Sequence, residues 1–374
     1  MAGTDRTPRV LHTEWSDGWG GQEIRIHGEM LALRERGVEV MLACRPHARL
    51  GERARAAGIP VYHFPFRGNA DLSTLWGLFH LIRSQRIDIV NTHSGKDTWV
   101  GGLAAKLAGA AFIRTRHLSN PIRSSRLNFI NELADFVMTT GESVREAMIR
   151  DNRIQPDRIA SVPTGIDPVR FDPARWPREE CRKALGLAPE EFAVGIVAVL
   201  RSFKRHDLLL QAFAELAGKH PELRLVIAGE GPMRTDIERR IAGMGLADRV
   251  LLAGHVEEPE RVLAALDLFV LSSDSKEGVP QSVMQALLMG LPVVATDAGS
   301  TRDLYRGDNM LMVPAGDGPA LREAMRRMIE DDCLRQRLAQ AARASALKTC
   351  TTDVMVERIL AIYARVMGGS GPSR

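Results

Sequence analysis

The chain has 374 residues, 45% of them hydrophobic and 26% charged, with a formal net charge of +4. That balance belongs to a soluble globular protein long enough for two domains with separate cores, and it excludes disordered, collagen-like and coiled-coil architectures. The basic excess is small, with no dense Lys/Arg block and no aromatic-plus-basic module, so no nucleic-acid partner is expected.

Short apolar runs alternate with amphipathic stretches along the chain. Residues 9–13 read as a strand, after which Gly20 and Gly21 open a helical segment with Ile26, Met30 and Leu33 on one face. Gly37 follows as its stop signal. Strand-like runs return at 38–44, 88–93, 112–117 and 136–140. Strands separated by helical stretches predict βαβ units and a parallel sheet. Residues 162–173, rich in Pro, Gly and Asp and extended by Trp176 and Pro177, predict a linker. The alternation resumes at 192–200, 223–228, 250–253, 268–272 and 292–296, and the rest is helical in pattern before a Gly/Ser/Pro tail. The reading is an α/β protein of two doubly wound domains facing across a cleft. Ligands of such sheets bind beyond the carboxyl ends of the strands.

Cys44, Cys181, Cys333 and Cys350 are far apart and show no ligand spacing. They predict reduced thiols rather than disulfides or a zinc site. The polar start through Pro8 has no signal-peptide core, and no apolar run approaches the ~20 residues a membrane span needs. A cytoplasmic protein is expected. Charge is uneven: 23 Lys and Arg face 18 Asp and Glu through Arg170, against 27 and 28 in the remainder. A basic first half allows weak, salt-sensitive contact with an anionic inner membrane surface.

The most informative segment is 272–294. A strand ends in a polar loop, Glu277 and Gly278 follow, Val279 and Pro280 lead into a helix, and Gln285 lies two turns on. Gly278 permits close backbone approach to a ligand, and the helix start offers N–H groups to a phosphate. Glu277 can accept hydrogen bonds from sugar hydroxyls. The segment resembles the donor-site signature of the GT-B retaining glycosyltransferases of family 4, in which two glutamates are separated by seven residues. Glu277 matches the first and Gln285 replaces the second. An amide can still pair with a ribose diol.

Other segments carry the same resemblance. Lys204 falls on the family's diphosphate-binding Lys, and the usual Arg position is Val199. Arg201, placed two residues further on the same strand face, is the expected substitute. Arg205 reads as a solvated surface charge. Gly229 and Gly231 match a nucleotide-pocket turn, and Val256 a segment that holds the base. The stretch 296–300 precedes another predicted helix and lines the cleft. In the first domain Gly20 and Gly21 stand where the family has its Gly-Gly loop against the donor. His117 matches the cleft histidine that orients the acceptor and contacts the donor sugar. His93, Arg116 and Arg123 are the acceptor-side candidates, with Arg126 nearby. Asp167 matches a structural position at the hinge.

The resemblance implies an acceptor-binding domain at 1–168, completed by the C-terminal helix at about 352–367, and a nucleotide-sugar-binding domain at 169–351. It implies a hexosyltransferase that moves a hexosyl unit from a UDP- or GDP-sugar to a glycan or lipid-linked acceptor in bacterial lipopolysaccharide, O-antigen or capsule synthesis. Catalysis would rest on His117, Glu277, Arg201 and Lys204, with no metal and no cofactor. Three other activities share these features: a sugar-nucleotide epimerase, a sucrose- or trehalose-phosphate-type synthase, and a catalytically silent nucleotide-sugar-binding protein.

Overall fold

The computed structural model describes residues 7–117, 129–274 and 277–368. It folds as two units, Met1–Gly165 with Thr352–Arg374, and Ile166–Thr351. The strands of the first unit are β1 (Arg9–Glu14), β2 (Glu39–Cys44), β3 (Val61–His63), β4 (Ile89–Thr92), β5 (Ala111–Arg116), β6 (Phe136–Thr139) and β7 (Ile159–Ser161). They form one parallel sheet in the order β3-β2-β1-β4-β5-β6-β7. Its helices are α1 (Gly21–Glu35), α2 (Arg49–Ala56), α3 (Leu72–Ser84), α4 (Gly95–Ala108), α5 (Ile130–Leu133) and α6 (Glu142–Asn152).

The central strands are buried on both faces because helices cover each side; β1 and β4 open apolar, at Val10–Leu11 and Ile89–Val90, and turn polar toward their carboxyl ends. Along β1, Val10 and Leu11 are fully buried in different clusters on opposite faces of the sheet. Side chains alternate across a strand, so His12 shares the Val10 face and Thr13 the Leu11 face. Helix α1 buries Ile26, Met30 and Leu33 as its periodicity predicts. It starts at Gly20, whose N–H donates to the Glu23 carboxylate at 2.8 Å. Helix α4 starts at Ser94, with Asp97 accepting its backbone N–H at 2.8 Å. An acidic side chain in the first turn pairs with the free N–H groups there.

The second unit repeats the plan. Its strands are β8 (Phe192–Val197), β9 (Leu223–Ala228), β10 (Val250–Gly254), β11 (Leu268–Leu271), β12 (Val293–Asp297) and β13 (Leu311–Pro314), ordered β10-β9-β8-β11-β12-β13. Its helices are α7 (Arg178–Ala184), α8 (His206–Ala217), α9 (Arg234–Gly243), α10 (Pro259–Ala265), α11 (Gln281–Leu288), α12 (Gly318–Glu330) and α13 (Asp332–Thr349). The helix expected after 296–300 is a single 3-10 turn, Thr301–Leu304.

The last helix, α14 (Thr352–Gly368), packs on α1 in the first unit. Met355, Val356, Ile359, Ile362 and Tyr363 join Val10, Ile26, Ile89 and Ile113 in one cluster. Burial of each such side chain contributes about 1.5–3 kcal/mol before entropy is counted. No helix among the described residues is long and apolar enough to cross a membrane.

In both sheets the strand order reverses beside the first strand, between β1 and β4 and between β8 and β11. A crevice opens at the carboxyl ends of such a strand pair because the connecting loops depart in opposite directions. In the first unit the buried His12, Thr13, Glu14, Thr92 and His93 lie at the carboxyl-end halves of β1 and β4 or just beyond.

Candidate functional site

In the second unit, β8 ends at Val197 and the chain runs over a glycine-containing loop. Leu200 N–H donates to Glu230 O at 2.9 Å, and Met233 N–H to Leu200 O at 3.0 Å. Gly229 and Gly231 have φ of +148° and +157°, and a Cβ on them would stand 1.9 Å from Ala198 O and 2.5 Å from Leu200 O. Only glycine lets these two stretches lie together. The turn expected as a pocket wall is thus packed directly against residues 198–200.

A 3-10 turn, Ser202–Lys204, then carries the Lys204 side chain inward. Its Nζ lies 2.6 Å from Glu277 Oε2, and both side chains are about nine-tenths buried. Ser273 Oγ donates to the same oxygen at 2.5 Å. Two further bonds join the loops after β8 and β11: Ser272 Oγ to Lys204 O at 2.8 Å and Asp274 N–H to Phe203 O at 2.8 Å. The structure thus brings together two residues that sequence reasoning had assigned separately, one to the diphosphate and one to the sugar. Each neutralises the other.

The backbone of Glu277 is fixed from below. Ser300 N–H donates to Glu277 O at 3.3 Å. Gly299 has φ +55°, and a Cβ there would fall 1.6 Å from the same oxygen. The stretch 296–300, expected only to line the site, supports the candidate carboxylate directly. Gly278, in contrast, has nothing within 4 Å of a Cβ, so the space above it is open. Pro280 caps α11 and is buried, while Gly278, Val279, Gln285 and Val256 are half-buried. Glu277 precedes α11, so Gln285 shares a helix face with Gln281 rather than a helical register with Glu277.

Arg201 does not share a strand face with Val199. The strand is over by then, and Arg201 N–H turns back to Val199 O at 2.8 Å. Arg201 is exposed and lines a hollow of about 300 Å³ with Arg205, Arg240, Asp207, Asp236 and Asp274. Arg205, read as a solvated surface charge, keeps about one-third of its side chain exposed and is also ion-paired. It is half-buried at φ +50° and forks onto Asp207 at 3.0 and 2.9 Å. Arg240 pairs with Asp236 at 2.7 Å. No such pair holds Arg201 among the described residues.

In the first unit, His117 follows β5 and His93 follows β4. His93 is fully buried, and both ring nitrogens are taken. Nδ1 is 2.9 Å from His117 Nε2, and Nε2 is 2.9 Å from His12 Nδ1. It has no ring nitrogen left for the acceptor contact expected of it. Burial lowers the pKa of all three rings, His12 to about 3, and for His117 the charges of Arg25, Arg114 and Arg116 add to the effect. His117 and Arg116 are half-buried. Arg123 and Arg126 lie outside the described residues.

Glu14 ends β1, fully buried. Its Oε1 accepts the N–H groups of Trp15 and Ser16 at 2.8 and 2.9 Å, and Gln22 donates to Oε2. This ties down the loop leading to Gly20 and Gly21. Burial and then the nearby Asp97 push the Glu14 carboxyl up to about 8. Asp97 takes Thr13 Oγ1 at 2.7 Å and His93 N–H at 2.9 Å. Asp167 accepts the N–H groups of Val169 and Arg170 at 2.8 and 3.2 Å, which shapes the linker. Among the described residues, no three His, Cys, Asp or Glu form a group that could hold a metal ion.

Sequence reasoning missed His12, Glu14, Asp97, Ser273 and Gly299. The available signal was alternation: a His and a Glu two apart inside an apolar strand share one face and must find partners there.

Residues 177–345 match the model of the family described as glycosyl transferases group 1, and residues 19–170 that of glycosyltransferase family 4. Together they cover most of the chain. The lipopolysaccharide core biosynthesis mannosyltransferase LpsB of Rhizobium meliloti is 34% identical over 54% of this chain, a stretch spanning 60% of that protein, less than two thirds of its length. The UDP-Gal:alpha-D-GlcNAc-diphosphoundecaprenol alpha-1,3-galactosyltransferase of Escherichia coli is 26% identical over 71% of this chain and 72% of its own. Among solved structures, Anabaena Alr3699/HepE in complex with UDP superposes with a TM-score of 0.84 at 20% identity, covering 96% of this chain and all of the other. That likeness is one of fold, the GT-B arrangement of two parallel-sheet domains.

Proposed function

Since the chain belongs to the group 1, family 4 glycosyltransferases, we propose that it moves a hexosyl unit from a nucleotide-diphosphate sugar to a hydroxyl of a glycan or lipid-linked acceptor in bacterial surface-polysaccharide synthesis. The observation that carries this is the buried Lys204–Glu277 pair at the carboxyl-end crevice of the second sheet. A donor entering there meets an ammonium suited to a phosphate oxygen and a carboxylate suited to sugar hydroxyls. The two ends of one ligand replace the two ends of one ion pair. The LpsB and galactosyltransferase relatives, named for lipopolysaccharide core and a diphosphoundecaprenol-linked sugar, support the acceptor class. The UDP of the Anabaena structure supports a nucleotide donor.

The reaction proceeds with retention. The acceptor hydroxyl attacks the anomeric carbon on the face from which the diphosphate leaves, and the leaving phosphate oxygen takes its proton. No protein nucleophile is needed. Lys204 and Arg201 stabilise the charge that builds on the diphosphate, the part a metal plays elsewhere. Gln285 meets the ribose, and Arg116 the acceptor side. The excess of basic residues in the first half supports weak contact with an anionic membrane surface from the cytoplasm.

Thermal shift with UDP- and GDP-sugars, followed by product analysis with the stabilising donor, tests the reading. One nucleotide class raises Tm, because a ligand that binds only the folded state stabilises it. Glu277→Ala keeps the shift due to the bare nucleotide and loses the increment due to the sugar. No shift with any sugar nucleotide at millimolar concentration would refute the donor site.

A further inference from the structure

His12, His93 and His117 form a chain of two hydrogen bonds running from the sheet interior to a half-buried end. Each bond needs one N–H and one lone pair, and a neutral imidazole has one of each. The rings are neutral, because burial and the cations Arg25, Arg114 and Arg116 disfavour a further positive charge. Two proton arrangements satisfy both bonds. In the first, His12 Nδ1–H donates to His93 Nε2, and His93 Nδ1–H donates to His117 Nε2. His117 then carries its own proton on Nδ1, and His12 keeps a lone pair at Nε2. In the second, every donor is reversed, and His12 must hold its proton at Nε2.

The inner end separates the two. His12 Nε2 is buried and has no hydrogen-bond partner among the described residues. A buried N–H left without an acceptor is a rarer and worse defect than an unfilled acceptor. The second arrangement creates that defect and the first avoids it.

We propose that His12 and His93 are positioning residues that hold His117 as its Nδ1–H tautomer, so that His117 presents a hydrogen-bond donor, not a base, to a substrate oxygen. The tautomer follows from the histidine chain alone, while its use on a sugar or phosphate oxygen rests on the proposed transferase reading. A donating His117 leaves the acceptor proton to the leaving phosphate. His12, fully buried in β1 and two hydrogen bonds removed from His117, would set the polarity of the ring at the half-buried end.

Nitrogen-15 NMR of the full chain labelled at histidine reads the tautomers directly, through long-range correlations from the ring protons. Nδ1–H is expected at both His93 and His117 in the wild type. His12→Asn places an amide N–H where Nδ1–H stood and keeps both tautomers. His12→Leu removes the donor, and His93 and His117 become mixed populations. Nε2–H at His117 in the wild type would overturn the proposal, and so would unchanged Nδ1–H tautomers in His12→Leu. If His12→Leu does not fold, the wild-type tautomer still decides. With an active donor and acceptor pair, His12→Leu lowers kcat about tenfold, the equivalent of one hydrogen bond, and His12→Asn restores it. Absence of transferase activity would count against the proposed function and leave the tautomer result standing.

Discussion

Lys204 and Glu277, 73 residues apart in sequence, meet at 2.6 Å where the loops after β8 and β11 converge. Neither has water enough to solvate it alone. Removing one partner strands the other, which costs about 3–5 kcal/mol for a well-buried pair, whereas removing both is far milder. Lys204→Met and Glu277→Gln each lower the urea midpoint, and the double variant recovers part of the loss. Both single variants also reduce transfer by about a hundredfold or more. Strictly additive stability losses in this cycle would show that the two side chains do not interact.

Gly299 and Gly278 make a matched test of what holds Glu277. Gly299→Ala forces a methyl group against Glu277 O at a backbone angle that costs alanine about 1–3 kcal/mol by itself. Tm falls and the sugar-dependent shift disappears. Gly278→Ala meets no protein atom, so Tm of the free protein stays unchanged while donor affinity drops. Equal donor affinity in Gly278→Ala and wild type would mean that the open space above Gly278 is not where the ligand lies.

Glu14 gives the pH dependence a definite sign. Its folded pKa of about 8 is above the ordinary 4.5, so the folded state keeps a proton that the unfolded chain releases. The unfolded state then binds fewer protons, and stability falls as pH rises through that window. Between pH 6.5 and 8 the fall is about 2 kcal/mol, at ~1.4 kcal/mol per pH unit. Glu14→Gln flattens this limb of the urea-midpoint curve. Below pH 6.5 the buried histidines act with the opposite sign, because their folded pKa values are depressed, His206 to about 4 and His12 to about 3. An equally steep limb in Glu14→Gln between pH 6.5 and 8 would remove Glu14 as its source.

Tyr363 is the largest apolar body that α14 places on the first unit, and it is fully buried. Tyr363→Ala lowers stability by about 3–5 kcal/mol, the loss typical of a large aromatic truncation. Tryptophan fluorescence separates the units, since Trp15, Trp19, Trp76 and Trp99 lie in the first and Trp176 in the second. The first-unit signal is expected to melt early in this variant. A single unshifted transition would contradict the packing role of α14.

The inner strands of both sheets were legible because they are covered on both faces and read as apolar runs. Of the edge strands, β10 was also read, but β3, β7 and β13 were not. They have only three or four residues, are partly exposed, and carry too little hydrophobic signal to stand out from loops. Of the second-unit site, Lys204 and Glu277 were recognised as family positions, but their ion pair depends on a 3-10 turn that no periodicity announces. Arg201 was misplaced because strand alternation was extended past Val197, where the backbone already turns. His93 was read as a ligand contact because its partners, His12 above all, were hidden inside a run taken for core. Polar residues in an apolar strand are where a reading by hydropathy stops, and where this first-unit cluster begins.

The return of α14 to the first unit also has a consequence in time. A growing chain finishes the first sheet, through Ser161, long before Met355 and Tyr363 are made. Until then the cluster of Val10, Ile89 and Ile113 lacks Met355, Val356, Ile359, Ile362 and Tyr363, the side chains that complete it. The second unit, contiguous from Ile166 to Thr351, has no such wait. Birth order and folding order therefore run in opposite directions: the half synthesised first is the half completed last, and its exposed sheet is the surface a chaperone or an aggregation partner meets.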